Sequence, residues 1–326
     1  MNSAIHDRNH GLRTPAVLTL ALMTLGIGAC ERKTDKPAAA AKAEPPTVYT
    51  TFYPTAFFAQ RIAGDHARVV NPCPADADPA YWMPDDNTLA KYQAADLIVI
   101  NGAEFEKWIA KASLPMAKVV DSTAPLKDEL IKLDDVVKHS HGPMGEHTHT
   151  GTDGHTWLDP INAKTQAEQI KTALLKACPD QAEAIEANFT SLVADLDKLD
   201  ARLNAVSKKI AAQPMIANHP AWNYLARRYD WTLKTFHLDP EEMPDDETIA
   251  EIKAYVAEQP ARFILWEAQP TPEIETRFSE ELGLTSIVYT PGEAIEAEQS
   301  KAGEDFLTIM NANVDRLEKA LEAQAP

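Results

Sequence analysis

The chain has 326 residues, with 49 acidic against 31 basic side chains and a net charge of −18 at neutral pH. That acidity argues against nucleic acid as a partner and suits a cationic ligand. The length leaves room, beyond an N-terminal leader, for two modest domains with real cores.

The first elements are a leader and a tether. Arg8 and Arg13 precede an apolar run from Ala16 to Leu25, followed by Ile27-Gly28-Ala29-Cys30. Basic residues, a short apolar stretch and small residues together read as an export signal over residues 1–29. The run is too short for a permanent span, which needs about 20 apolar residues. Ile27–Cys30 resembles a bacterial lipobox, in which the cysteine becomes the lipidated first residue; ordinary signal-peptidase cleavage beside a chance cysteine is the alternative. Residues 30–46, rich in Ala, Lys and Pro, read as a flexible tether. The expected location is periplasmic or cell-surface, lipid-anchored through Cys30. Cys73 and Cys178 then remain, as a disulfide in an oxidising compartment or as two buried thiols, and the sequence leaves both open.

Short β-rich runs alternate with helical patterns after the tether. Thr47–Phe52, Ala67–Asn71, Leu97–Ile100 and Lys118–Val120 read as strands, with helices near Thr55–Ala63, Asp86–Ala94 and Glu104–Lys111 between them. Such alternation predicts βαβ units and a parallel sheet. Gln181–Ala212 lacks Pro and Gly and repeats apolar residues at helical spacing: Ile185, Phe189, Leu192, Leu196, Leu199, Leu203, Val206 and Ile210. It reads as one long helix, with a coiled coil as the rival. The second half repeats the first, with strands at Met215–Ala217, Thr232–Phe236, Arg262–Trp266 and Ser286–Val288. Helices are expected over Ala221–Tyr229, Glu247–Glu258, Pro272–Leu282 and Gly303–Glu322. Asp245 and Thr271 suit N-caps, and Pro272 suits a first helical position. The fold class is α/β: two parallel-sheet lobes, residues 47–180 and 213–326, joined by one long helix over 181–212. A monomer is expected.

In open α/β sheets ligands bind beyond the carboxyl ends of strands. Tyr53, then Asp76, Asp78 and Tyr81, then His219, Glu267, and Tyr289 with Thr290 all follow strands in this way. The other chemical signal is a His-rich segment, 138–155, expected to be a flexible polar loop. His139, His141, His147, His149 and His155 are five of the ten histidines. Imidazole suits zinc, copper, iron and nickel. A loop of this kind can collect metal weakly and pass it on, or be simply a solvated segment.

His155-Thr156-Trp157-Leu158-Asp159-Pro160 resembles the His-x-Trp-Leu-Asp-Pro motif of the zinc/manganese class of ABC-importer solute-binding proteins. Asn218–Tyr229 resembles that family's second histidine motif, and Val48–Tyr53, Pro74–Pro84, Ala94–Gly102 and Leu265–Gln269 resemble further family segments in order. The resemblance implies two α/β lobes, a metal between them held by three histidines and one carboxylate, and a membrane permease as partner. It places His155 and His219 as ligands. It also exposes two departures: Ala80 stands where the family has a histidine, and Thr290 where an aspartate is expected.

Three readings of the cleft follow. It is rebuilt from Asp76, Asp78, Tyr81, Glu267 and the loop histidines around zinc, which needs three or four N, O or S donors. It suits Mn2+ or Fe2+ as well. Or it takes another ligand, such as a metal chelate. The expected metal set is His155, His219, Glu267 and Asp78, with His139, His141, His147 and His149 as accessory. Two other functions remain: a surface metal chaperone or adhesin using the His-rich segment alone, and a metallohydrolase with Glu267 as base. For the latter there is no His-Glu-x-x-His, nucleophile elbow or phosphate loop. Tyr53, Tyr81, Trp82 and Trp222 could line the cleft but fit packing better, and Cys73 is a conceivable thiolate ligand.

Overall fold

Thr47–Thr50 (β1), Arg68–Val70 (β2), Leu97–Ile100 (β3) and Val119–Asp121 (β4) form one parallel sheet in the order β2-β1-β3-β4. Met215–Ala217 (β7), Leu233–Thr235 (β8), Phe263–Trp266 (β9) and Thr285–Val288 (β10) form a second, in the order β10-β9-β7-β8. In each half the first strand is flanked by the second and the third, so both lobes share one winding. In the computed structural model the described residues are 44–140, 146–210 and 213–323. The leader, Cys30, most of the tether and His141 lie outside them.

Period-two alternation explains why these runs are apolar throughout. Val48, Leu97 and Val99 face one cluster, while Tyr49, Ile98 and Ile100 face another on the opposite side. The C-terminal sheet does the same: Met215, Ala217, Phe263 and Leu265 face the first cluster, and Ile216, Ile264 and Trp266 a third. One face of each sheet thus enters the same core. Ala182–Ile210 (α4) runs through it, burying Ile185, Leu192, Leu196, Leu199, Leu203, Val206 and Ile210. At 1.5 Å per residue it is about 44 Å long, enough to serve both sheets. It packs on Tyr53–Ala63 (α1), Pro160–Ala177 (α3) and Phe306–Ala323 (α9), as a helix in a core rather than a coiled-coil strand. Glu44–Pro326 accordingly form one compact unit.

Helix starts follow cap chemistry. Asp85, Asp159, Asp245 and Thr271 each accept a backbone N–H in the first turn of Asp86–Ala94 (α2), α3, Asp246–Glu258 (α6) and Pro272–Leu282 (α7). The helix expected from Gly303 begins instead at Phe306. Gly303 has φ +84°, and the Asp305 carboxylate accepts the Thr308 N–H at 2.8 Å. A separate short helix, Ala297–Lys301 (α8), precedes it. The second histidine motif enters Asn223–Tyr229 (α5) through a 3-10 turn at Pro220–Trp222.

Two expectations are corrected. Glu104–Lys111 is not an α-helix; only Ile109–Lys111 makes a 3-10 turn. Gly102, Ala103 and Glu104 all have positive φ, and the buried Glu106 carboxylate accepts the N–H groups of Asn101 and Gly102 and the Thr51 hydroxyl. Positive φ at Ala103 and Glu104 is incompatible with a right-handed helix starting there, and the Glu106 carboxylate fixes the turn that leads into the segment. Of the His-rich segment, residues 138–140 and 146–152 are in strands rather than in an irregular loop. Lys132–Ser140 (β5) and Glu146–Thr152 (β6) pair antiparallel, with His139 opposite His147 and Val137 opposite His149. Cys73 and Cys178 are free thiols.

Candidate metal centre

The shared winding makes a switch point in each sheet, where the chain leaves neighbouring strands in opposite directions. In the C-terminal sheet it falls between β7 and β9, and the residues just beyond those strands are Asn218-His219 and Glu267. Asn218, almost fully buried, ties the two ends together: its amide donates to Glu267 Oε1 at 3.2 Å, and its Oδ1 accepts the Glu267 N–H at 3.0 Å. The other carboxylate oxygen, Oε2, stands 3.7 Å from His219 Nδ1.

His155 comes from the N-terminal lobe, three residues after β6 closes its pairing at Thr152. Its Nδ1 meets Asp153 Oδ1 at 2.8 Å, and its own N–H donates to the same oxygen at 3.0 Å. A carboxylate on one ring nitrogen fixes the ring and leaves the other for a ligand. That other nitrogen, Nε2, lies 3.2 Å from Glu293 Oε1. Burial opposes protonation of His155, but hydrogen bonds to Asp153 and Glu293 outweigh it and raise its pKa to about 10. Without a metal, the imidazole therefore holds a proton between two carboxylates.

The two histidine rings lie 5.3 Å apart, centre to centre, at 81°. Both pairs, His155–Glu293 and His219–Glu267, line one cavity of about 170 Å³. Tetrahedral zinc, with bonds of about 2.0–2.2 Å, sets its donors about 3.3–3.6 Å apart. The separations of 3.2 and 3.7 Å bracket that edge. Two imidazoles and two carboxylates are a donor set zinc accepts. Among the described residues no three His, Cys, Asp or Glu side chains already stand arranged to hold a metal.

The remaining expected residues divide. Asp78 lines the cavity, with Oδ1 occupied by the Ala80 N–H at 2.8 Å, and Ala80 and Tyr81 line it beside Asp78. Burial first, then the charge of Asp78, push the Tyr81 phenol up to about 12. Asp76 lies on an outer vestibule shared with Thr290 and both glutamates. Burial first, then the charges of Asp78, Glu293 and Asp76, push the Cys73 thiol up to about 12, which argues against a thiolate ligand. Trp222 is fully buried in the core, Trp82 packs on Trp108, and Tyr53 on Phe57. Sequence reasoning took the acidic residue to be lost at Thr290 and missed Glu293; the Thr290 hydroxyl accepts the Gly292 N–H at 3.3 Å. Gly292, at φ +68°, turns the chain so that the next residue, Glu293, enters the cavity.

Residues 48–320 match the family of the periplasmic zinc-uptake complex component A, ZnuA. The chain belongs to that family. That family is described as a component of zinc uptake, which gives the metallohydrolase reading no support. It is 28% identical over 308 residues to the high-affinity zinc uptake system protein ZnuA of Bacillus subtilis (strain 168), covering 94% of this chain and 97% of that one. It is also 28% identical over 286 residues to the zinc-binding lipoprotein AdcA of Streptococcus pneumoniae, covering 86% of this chain but only 56%, about half, of AdcA. Among solved structures, the metal-dependent lipoprotein YcdH of B. subtilis superposes with a TM-score of 0.72 at 26% identity, covering 84% of this chain and 98% of that one. The Zn(II)-bound ZnuA-like domain of S. pneumoniae AdcA gives 0.70 at 27%, with the same coverage. These likenesses bear out the two-lobe α/β fold expected from the sequence.

Proposed function

We propose that this ZnuA-family chain captures Zn2+ in the inter-lobe cavity through His155, His219, Glu267 and Glu293, and releases it to an ABC-importer permease. The observation that carries this is the geometry of two His–carboxylate pairs at 3.2 and 3.7 Å around one buried cavity. Asp78 sits at the rim as a carboxylate that meets the incoming cation, and the histidines of the β5–β6 hairpin serve as an accessory collector. Glu293 does the work expected of an acidic residue near Thr290. Ala80 contributes only space, so the set has two imidazoles instead of three. Mn2+ and Fe2+ fit less well, because carboxylate- and water-rich octahedral shells suit them better than this compact site.

Capture exchanges a proton for a metal ion. Zinc takes His155 Nε2, the proton shared with Glu293 leaves, and Asp153 continues to hold Nδ1. Lipidation at Cys30, tethering through residues 30–46, a periplasmic or cell-surface address, and action as a monomer complete the reading. The test is a competition titration against a chelator of known affinity, for the wild type, His155→Ala plus His219→Ala, and Glu293→Gln. One zinc per chain, lost in the double variant and weakened in Glu293→Gln, supports the reading. Zinc retained unchanged in all three places the metal elsewhere.

A further inference from the structure

His155 is flanked, two residues away on each side, by a buried side chain that reaches the opposite lobe. On one side Asp153 holds His155 with Oδ1, while its Oδ2 accepts the Asn223 side-chain amide at 3.0 Å. Asn223 opens α5, four residues after the ligand His219. On the other side the Trp157 indole N–H donates to the Pro291 carbonyl at 2.9 Å, and Pro291 lies two residues before the ligand Glu293. The same segment is held at its next turn by the Tyr53 N–H, which donates to the Glu293 carbonyl at 3.3 Å. Asp153 and Trp157 are each 1% exposed, and Pro291 and Gly292 are buried. The Trp157 ring is wedged between Phe52 and Phe105, with centroids 4.8 and 5.1 Å away, so its indole N–H has little freedom of aim.

Each neighbour of the N-terminal ligand is thus bonded to a C-terminal segment that carries another ligand. Packing alone would place the lobes together, but it does not require these two short polar bonds to straddle one imidazole. Buried hydrogen bonds of this kind fix distance and orientation where apolar contacts tolerate slip. We propose that Trp157 and Asn223 are positioning residues that set the inter-lobe gap at the spacing of tetrahedral zinc, and so govern zinc retention and its preference over manganese. The proposal rests on the cavity being the zinc site. A gap held narrow admits four donors. A loosened gap admits water and the Asp78 carboxylate, giving the oxygen-rich shell that octahedral ions prefer.

The test uses the full chain with Trp157→Phe, which keeps an aromatic ring and removes the N–H, and Asn223→Ala, at a half-buried position that decides the matter if the first variant folds poorly. Three readouts are taken: zinc release into excess chelator, zinc–manganese competition, and the visible absorption of the Co2+-loaded protein. The expected result is zinc release faster by on the order of tenfold in each variant, as for other partners of metal-binding side chains. The zinc preference narrows and the intense tetrahedral Co2+ bands weaken in both variants, including Asn223→Ala, whose metal-free melting temperature changes less than that of Trp157→Phe, which loses a buried indole N–H. Release at wild-type rates with unchanged Co2+ bands overturns the proposal. Faster release that merely tracks a lower metal-free melting temperature, with unchanged Co2+ bands, also overturns it. Zinc held as tightly by His155→Ala as by the wild type overturns the site itself, and is recognised before either variant is examined.

Discussion

His155 sits between two carboxylates, Asp153 on Nδ1 and Glu293 on Nε2. Its pKa stands near 10 because Asp153 and Glu293 together outweigh burial. Raised above the ordinary value of about 6.5, it stabilises the metal-free fold fully below that pH, and the contribution is lost as pH rises through about 10. It also sets the proton stoichiometry of capture. Calorimetry in buffers of different ionisation enthalpy should find close to one proton released per zinc from this residue still at pH 8, where an unperturbed histidine would release almost none. Proton release that vanishes by pH 8 would contradict the assignment. Glu293→Gln keeps size but removes the anionic donor, so zinc affinity should fall by more than roughly tenfold, whereas Thr290→Val should leave it within a factor of about two if Glu293 is the ligand. The residue scale is also where the sequence was hardest to read. His219 and Glu267 announce themselves as polar residues just past apolar strands, and His155 by the motif that it opens. Glu293 lies five residues beyond β10, after a Pro-Gly turn, and its place depends on bonds from the other lobe that no local pattern encodes.

Among elements, those with local punctuation were legible. Asp86–Ala94 and Pro272–Leu282 match expectation residue for residue because a capping side chain and, in α7, a first-turn proline mark their starts. Phe105, Trp108 and Ile109 have helical spacing too, but Gly102–Glu104 adopt positive φ, a backbone path that a right-handed helix cannot start from, and the turn is fixed by bonds from Asn101 and Gly102 to Glu106. The Asp159 cap matters beyond stability, since it starts α3 four residues after His155 and accepts the Ile161 N–H at 2.8 Å. Asp159→Ala should cost about 1 kcal/mol in chemical denaturation. Leu199, 2% exposed in the middle of α4, should cost about 2–5 kcal/mol as Leu199→Ala. A loss below about 0.5 kcal/mol would mean that α4 does not carry the shared core.

For the whole molecule, the decisive feature is that one face of each sheet enters a common apolar cluster with α4 between them. Two lobes legible as separate α/β repeats are therefore expected to melt together: differential scanning calorimetry of the metal-free chain should show one transition, moved upward by zinc through mass action. Two resolved transitions would contradict a shared core. The same cluster resists hinge opening, so zinc should be met by side-chain movement, with little change in radius of gyration by solution scattering. The acidic balance of the chain, −18 overall, adds a long-range attraction for cations that weakens with salt.

The most direct measurement is an anomalous difference map at the zinc edge from crystals of the zinc-loaded chain. One strong peak is predicted among His155 Nε2, a ring nitrogen of His219, Glu267 and Glu293, at about 2.0–2.2 Å from each donor. A map whose strong peak lies on the β5–β6 hairpin, with none between the two His–carboxylate pairs, would contradict it.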